Sequence, residues 1–187
     1  MLHYWDAYWD LRVKECPCDV HFLEWLKTDG LRDGAIFHFG TGSHHVVGIE
    51  TATNGSNNAV LGITASPKEY DDYVKLCIER PEVARTYKAF FGDIYQLDAR
   101  LMPMFDVITA FHLGEFRSEK NDAYGGLTDL EVASLMVDHL HPGGRLIIYS
   151  GSYAYDVAER DVGKLVTAGR LAFVEKFETL MVFRKIA

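Results

Sequence analysis

The chain has 187 residues, 48% of them hydrophobic and 13% aromatic, enough to bury one substantial core but short for two. A net charge of −8 argues against a general nucleic-acid surface, which needs a local excess of Lys and Arg that no segment carries; no apolar run approaches the roughly 20 residues that span a bilayer. The start MLHYWDAYWD lacks the basic and apolar stretches of a signal peptide, so the expectation is a cytoplasmic protein acting on a small molecule, without nucleic acid or membrane as partner.

Residues 3–28 carry aromatic and aliphatic side chains at helical spacings, broken near Pro17, and predict one or two helices. Within them Tyr4 and Tyr8, and Trp5 and Trp9, are i, i+4 pairs on one helical stripe. Short apolar runs at residues 35–39, 59–63, 89–91, 106–111 and 145–149 predict strands. Helical patterns separate most of them, at residues 44–53, 67–79 and 127–140, the last closed by the stop signal HPGG at residues 141–144. A further helix is predicted at residues 155–168, followed by alternating segments at 173–177 and 179–184 that suggest a closing antiparallel hairpin. Strands alternating with helices imply one α/β domain: a doubly wound, mostly parallel sheet of about seven strands with helices on both faces. Residues 1–34 form an N-terminal helical extension before the domain at 35–187.

The three cysteines, Cys16, Cys18 and Cys77, are too few for a disulfide framework. Histidines and cysteines crowd the first quarter, but their spacing matches no zinc pattern, so no metal site is expected. In AIFHFGTGSHHVV, residues 35–47, the first strand runs into a glycine turn. Gly40 and Gly42 can take positive φ and admit a ligand close to the backbone, while the amides of Ser43 and His44 would open a helix. Taken alone the turn is a weak signal, and a purely structural strand-to-helix turn stays open.

Four segments together resemble the class I S-adenosylmethionine-dependent methyltransferases: IFHFGTGS, AVLGITASP, FFGDIYQL, and FDVITAFHLGEF followed by LMVDHLHPGGRLII. The resemblance implies the cofactor S-adenosylmethionine, with Gly40, Thr41, Gly42 and Ser43 under its methionine part and Thr64 and Ala65 at the ribose. It also implies Asp93 on the adenine amino group, Ile94 on the ring, and Phe111 closing the fourth strand beside the cofactor. His112 and Glu115 lie where the transferred methyl group would be. His112, with an unperturbed pKa near neutrality, is a candidate base, and Glu115 either orients it or holds a cationic substrate; the bland alternative is a strand cap and a solvated loop. Tyr4, Trp5, Tyr8 and Trp9 form either a lid over the substrate or a stripe packed on the core. The polar loop at residues 117–127 has the composition of a mobile active-site loop.

Two acidic positions and one glycine of the usual pattern are changed. His38 stands where the first strand often has an acid for the cofactor's ammonium group, Thr64 where a carboxylate accepts the ribose hydroxyls, and His44 at the third glycine. A hydroxyl replacing a carboxylate loses a charge-assisted bond of about 1.5–3 kcal/mol. The reading is therefore a small-molecule N- or O-methyltransferase with a modified cradle. Its alternative is a methyltransferase-like chain that has lost catalysis and serves as a binding or partner subunit; a homodimer is compatible with either.

Overall fold

A computed structural model describes residues 8–186; Tyr4 and Trp5, half of the aromatic stripe, lie outside the described residues. The strands are β1 (Ala35–Phe39), β2 (Ala59–Thr64), β3 (Tyr87–Phe91), β4 (Phe105–Thr109), β5 (Leu140–Tyr149), β6 (Leu171–Phe177) and β7 (Leu180–Lys185). They form one seven-stranded sheet in the order β3-β2-β1-β4-β5-β7-β6. The pairs from β3 through β5 are parallel, whereas β7 runs antiparallel to both β5 and β6. This is the expected doubly wound sheet with its closing hairpin.

The helices are α1 (Cys18–Asp29), α2 (Val46–Thr53), α3 (Pro67–Glu79), α4 (Glu119–Ala123), α5 (Asp129–Asp138) and α6 (Tyr155–Thr167). Successive strand residues point to opposite faces, and the two apolar layers divide accordingly. Ile36, Val60, Val107 and Ile147 face a layer with Phe22, Trp25 and Leu26 of α1 and Val47 of α2. Phe37, Ile63, Ile108 and Leu146 face Val132 and Met136 of α5 and Val162 and Leu165 of α6. The central strands are therefore covered on both sides, which explains why they read as apolar runs rather than as alternating patterns. Because α1 belongs to the first layer, the described part of the N-terminal extension shares the domain's core. Strand order reverses between β1 and β4, so the carboxyl ends of these two strands open a crevice, the usual ligand position of such sheets.

Three expectations need correction. Residues 8–17 are not helical: they run across the carboxyl edge of the sheet, ending in a turn where the amides of Glu15 and Cys16 both bond the Arg12 carbonyl. Long-range partners for the Trp9 backbone and the helix-limiting Pro17 outweigh the helical spacing of the aromatics. The HPGG segment is not a helix terminator; α5 closes at His139, and residues 141–144 lie within β5. The helix after the glycine turn starts at Val46 rather than residue 44, because His45 occupies the left-handed region at φ 47°.

Candidate active site

The glycine turn has the backbone its sequence requires. Gly40 and Gly42 sit at φ 87° and 55°, and a β-carbon added to Gly42 would lie 2.5 Å from His44 Nε2. His44 caps the following helix, its Nδ1 accepting from the Val46 amide at 3.3 Å. The Ser43 amide and hydroxyl do not point into open space: both donate to the Trp9 carbonyl, at 2.8 and 2.9 Å. The strap of residues 8–17 is thus tied to the turn.

Carboxylates carried by helices stand near the ends of β1 and β2. Thr64 donates its hydroxyl to Glu69 Oε2 at 2.7 Å, and Glu69 Oε1 accepts from the Trp9 amide at 3.3 Å. Ser66, at the N-cap of α3, accepts from the Glu69 amide and Pro67 starts the helix, which sets the Glu69 side chain over Thr64. Burial raises the Glu69 pKa above the usual carboxylate value, with the bonds from Thr64 and Trp9 opposing it. At β1, His38 shares a 2.8 Å hydrogen bond with Thr109 through Nδ1, and its Nε2 lies 3.5 Å from Asp19 of α1. The other Asp19 oxygen lies 3.5 Å from His44 Nε2. Burial pushes the Asp19 carboxyl up to about 7 and the His38 and His44 imidazoles down to about 3 and about 4, so the enclosed rings stay neutral at neutral pH.

At the opposite end Asp93 accepts from the Tyr95 amide at 2.9 Å, from Asn121 Nδ2 at 3.2 Å and from the Tyr124 hydroxyl. Asn121 and Tyr124 come from the polar loop at residues 117–127. That loop is locally ordered: Asn121 accepts from the Ser118 amide at 2.7 Å, and Arg117 pairs with Asp122 at 2.5 Å.

After β4 the chain turns at His112. Its Nδ1 lies 3.1 Å from Glu115 Oε1, and that oxygen also accepts from the Ser152 hydroxyl at 2.5 Å and the Tyr153 amide at 2.9 Å. Glu115 is therefore held against the His112 ring. Nε2 faces two sulfurs, Cys16 Sγ at 3.8 Å and Cys18 Sγ at 3.9 Å, which are themselves 3.3 Å apart. Its bond with Cys18, opposed by burial and helped by His112, lowers the Cys16 thiol to about 5. Burial opposes protonation of His112, but hydrogen bonds to Cys16 and Glu115 outweigh it and push the ring up to about 10. Those bonds favour the protonated ring, so its pKa lies above the unperturbed value from which the sequence argued.

These groups line one cavity of about 370 Å³, within the range of small-molecule sites. Gly40, Gly42, Thr64, Ala65, Asp93, Ile94, His112, Glu115 and Trp9 all reach its wall. Thr41, Ser43, Phe111 and Tyr8 are not among its lining residues. Phe111 is buried edge-on to Phe22 and His38, with ring centroids 5.8 and 5.9 Å away. The Thr41 methyl packs over Gly62, where an added β-carbon would meet it at 2.5 Å, and Tyr8 is 53% exposed. Cys16, Cys18, Asp19 and Glu69 belong to the wall and were not singled out by motif. The case against a metal weighed only spacing in sequence, whereas the fold brings His112 to cysteines 94 and 96 residues away.

Comparison with protein-family models and with curated protein sequences gives no match, so likeness rests on structure. The precorrin-6y C5,15-methyltransferase of Geobacter metallireducens superposes with a TM-score of 0.63 at 16% identity, covering 97% of this chain and 94% of that one. The magnesium protoporphyrin IX methyltransferase of Synechocystis PCC 6803, solved with bound S-adenosylmethionine, gives 0.62 at 16% identity over 97% and 87%. TrmN from Thermus thermophilus gives 0.63 at 15% identity over 90% of this chain, which spans about half of that protein's length, 49%. Seven strands in this order, the reversed last strand and these likenesses together give the chain the α/β fold of the class I S-adenosylmethionine-dependent methyltransferases.

Proposed function

We propose that the chain is an S-adenosylmethionine-dependent methyltransferase acting on a small molecule at a nitrogen or oxygen. The observation that carries this reading is Glu69, a buried carboxylate held over Thr64 by a 2.7 Å bond, at the end of the second strand where this reading sets the ribose and the strand itself offers no acid. The residues fit the group: a turn in which a side chain at Gly42 would strike His44, a buried acid at each end, and a cavity of about 370 Å³. Asp93 and Ile94 would hold the adenine, Thr64 and Glu69 the ribose, and Gly40, Gly42 and Asp19 the amino-acid end. An ammonium group would also provide the buried Asp19 with the positive partner that its neutral histidines lack.

Bound there, S-adenosylmethionine supplies an electrophilic methyl group on a sulfonium. The chain's share is to exclude water and to set an acceptor in line, which is where most of the acceleration of such a transfer arises. His112, protonated, would donate a hydrogen bond to the acceptor or hold Cys16 as thiolate; the thiolate is then the proton-accepting group at that end. Glu115 holds the ring in place.

The second reading, a chain that has lost catalysis, draws on the strap: the Trp9 backbone engages both Glu69 and the Ser43 amide, groups a cofactor would use. Calorimetric titration with S-adenosylmethionine and S-adenosylhomocysteine separates the two. Binding of both, lost in Asp93→Ala, is expected; absence of binding favours the second reading.

A further inference from the structure

We propose that Cys16, Cys18 and His112 form a binding site for a thiophilic divalent ion of the zinc type, with one coordination position open to the cavity. The three ligand atoms lie within 4.8 Å of one another. A tetrahedral zinc ion with ordinary bond lengths holds two sulfurs about 3.8 Å apart and a sulfur and nitrogen about 3.6 Å apart. The observed separations are 3.3 Å between sulfurs and 3.8 and 3.9 Å from sulfur to Nε2, so an ion fits with shifts of about 0.5 Å, the scale of a side-chain torsion.

The surroundings are those of a ligating histidine. A metal-bound imidazole usually donates its other ring nitrogen to a carboxylate, which fixes tautomer and orientation; Nδ1 of His112 meets Glu115 at 3.1 Å, and Glu115 is itself fixed by Ser152 and Tyr153. Each ligand sits on a different support: Cys16 on the turn that ends the strap, Cys18 on the first residue of α1, and His112 just past β4. Asp19 Oδ1 lies 3.8 Å from the Cys18 sulfur. All three ligands line the cavity, so the fourth position faces it. Sites with three protein ligands and an open position take a water or a substrate atom there. A ligand oxygen, nitrogen or sulfur of the acceptor would thus be bound at the end of the cavity away from Asp93. The site does not depend on the methyltransferase reading, since its ligands are not the groups assigned to the cofactor; the ion takes the place of the proton on His112 Nε2, so ion and proton are alternative occupants of that end.

The test uses the full chain, reduced and stripped of metal with a chelator, titrated with cobalt(II) alone. One equivalent should bind with a sulfur-to-cobalt charge-transfer band and tetrahedral ligand-field bands, both erased by zinc. Cys16→Ser and Cys18→Ser should each weaken binding by about 100-fold, and Glu115→Gln by about tenfold. Circular dichroism and thermal unfolding confirm that each variant is folded. Three results would overturn the site: no uptake by reduced, folded protein; uptake without a charge-transfer band; or unchanged affinity in both cysteine variants.

Discussion

At the residue scale the decisive side chain is Glu69. Hydroxyls of a ribose favour its ionised form, while burial in the free protein raises its pKa; ligand binding therefore releases a proton. The sign follows: affinity for S-adenosylhomocysteine should rise with pH through the free protein's raised pKa and level off above it. Glu69→Gln should weaken binding by about tenfold, the difference between a charge-assisted and a neutral hydrogen bond, and flatten that pH dependence; calorimetry across the acidic to neutral range reads both. Thr64→Asp gives an opposed test. It would place a second carboxylate against Glu69 and remove the hydroxyl that donates to it, so affinity at neutral pH should fall. Tighter binding would show that Glu69 does not reach the ribose. Neither Glu69 nor Asp19 was legible in the sequence, because the motif directs attention to strand ends, whereas these carboxylates arrive from helices 5 residues after Thr64 and 19 before His38. That Asp93, Ile94, His112 and Glu115 share one cavity wall was legible, since each follows its strand closely and the turn leaves little choice of direction. The surroundings of His112 were not, because they include sulfurs supplied by a remote segment.

Among the elements, α3 and the closing hairpin could be read closely from local chemistry. Ser66 caps, Pro67 starts, and the helix ends at Glu79 as its pattern predicts; β6 and β7 pair antiparallel around a turn in which Glu178 takes φ 50°. The strap failed as a helix for a reason outside its own residues: its backbone partners, Ser43 and Glu69, lie 34 and 60 residues away. Helix α1 was legible as a helix but not as part of the core. Trp25 is 1% exposed and donates its indole N–H to Glu175 at 3.1 Å, joining the N-terminal extension to the sheet's far hairpin. Trp25→Ala should therefore cost about 3–5 kcal/mol of global stability, lowering the urea midpoint of a single cooperative transition. A separate early transition, with the main one unmoved, would mean that α1 folds as an appended unit.

For the whole molecule, the parallel order and its reversal beside β1 set one crevice, and the charge sets what can approach it. The chain carries 27 acidic against 19 Lys and Arg side chains. The cavity wall follows this balance: Glu15, Asp19, Glu69, Asp93 and Glu115 face Arg12 as the one Lys or Arg side chain among the lining residues. A polyanion approaching this rim meets repulsion, and neutralising its phosphates would need cations that the rim does not provide. A compact neutral or cationic acceptor pays no such penalty, and an amine would gain from Glu115. The expectation is that fluorescence anisotropy with labelled structured RNA or duplex DNA shows no binding at micromolar protein, even at low salt, where electrostatic association is strongest. Amine-bearing small molecules, by contrast, should raise the melting temperature in the presence of S-adenosylhomocysteine by occupying the remaining cavity. Salt-sensitive binding of RNA would move the acceptor to a nucleic acid, and would require a basic surface outside this crevice to carry it.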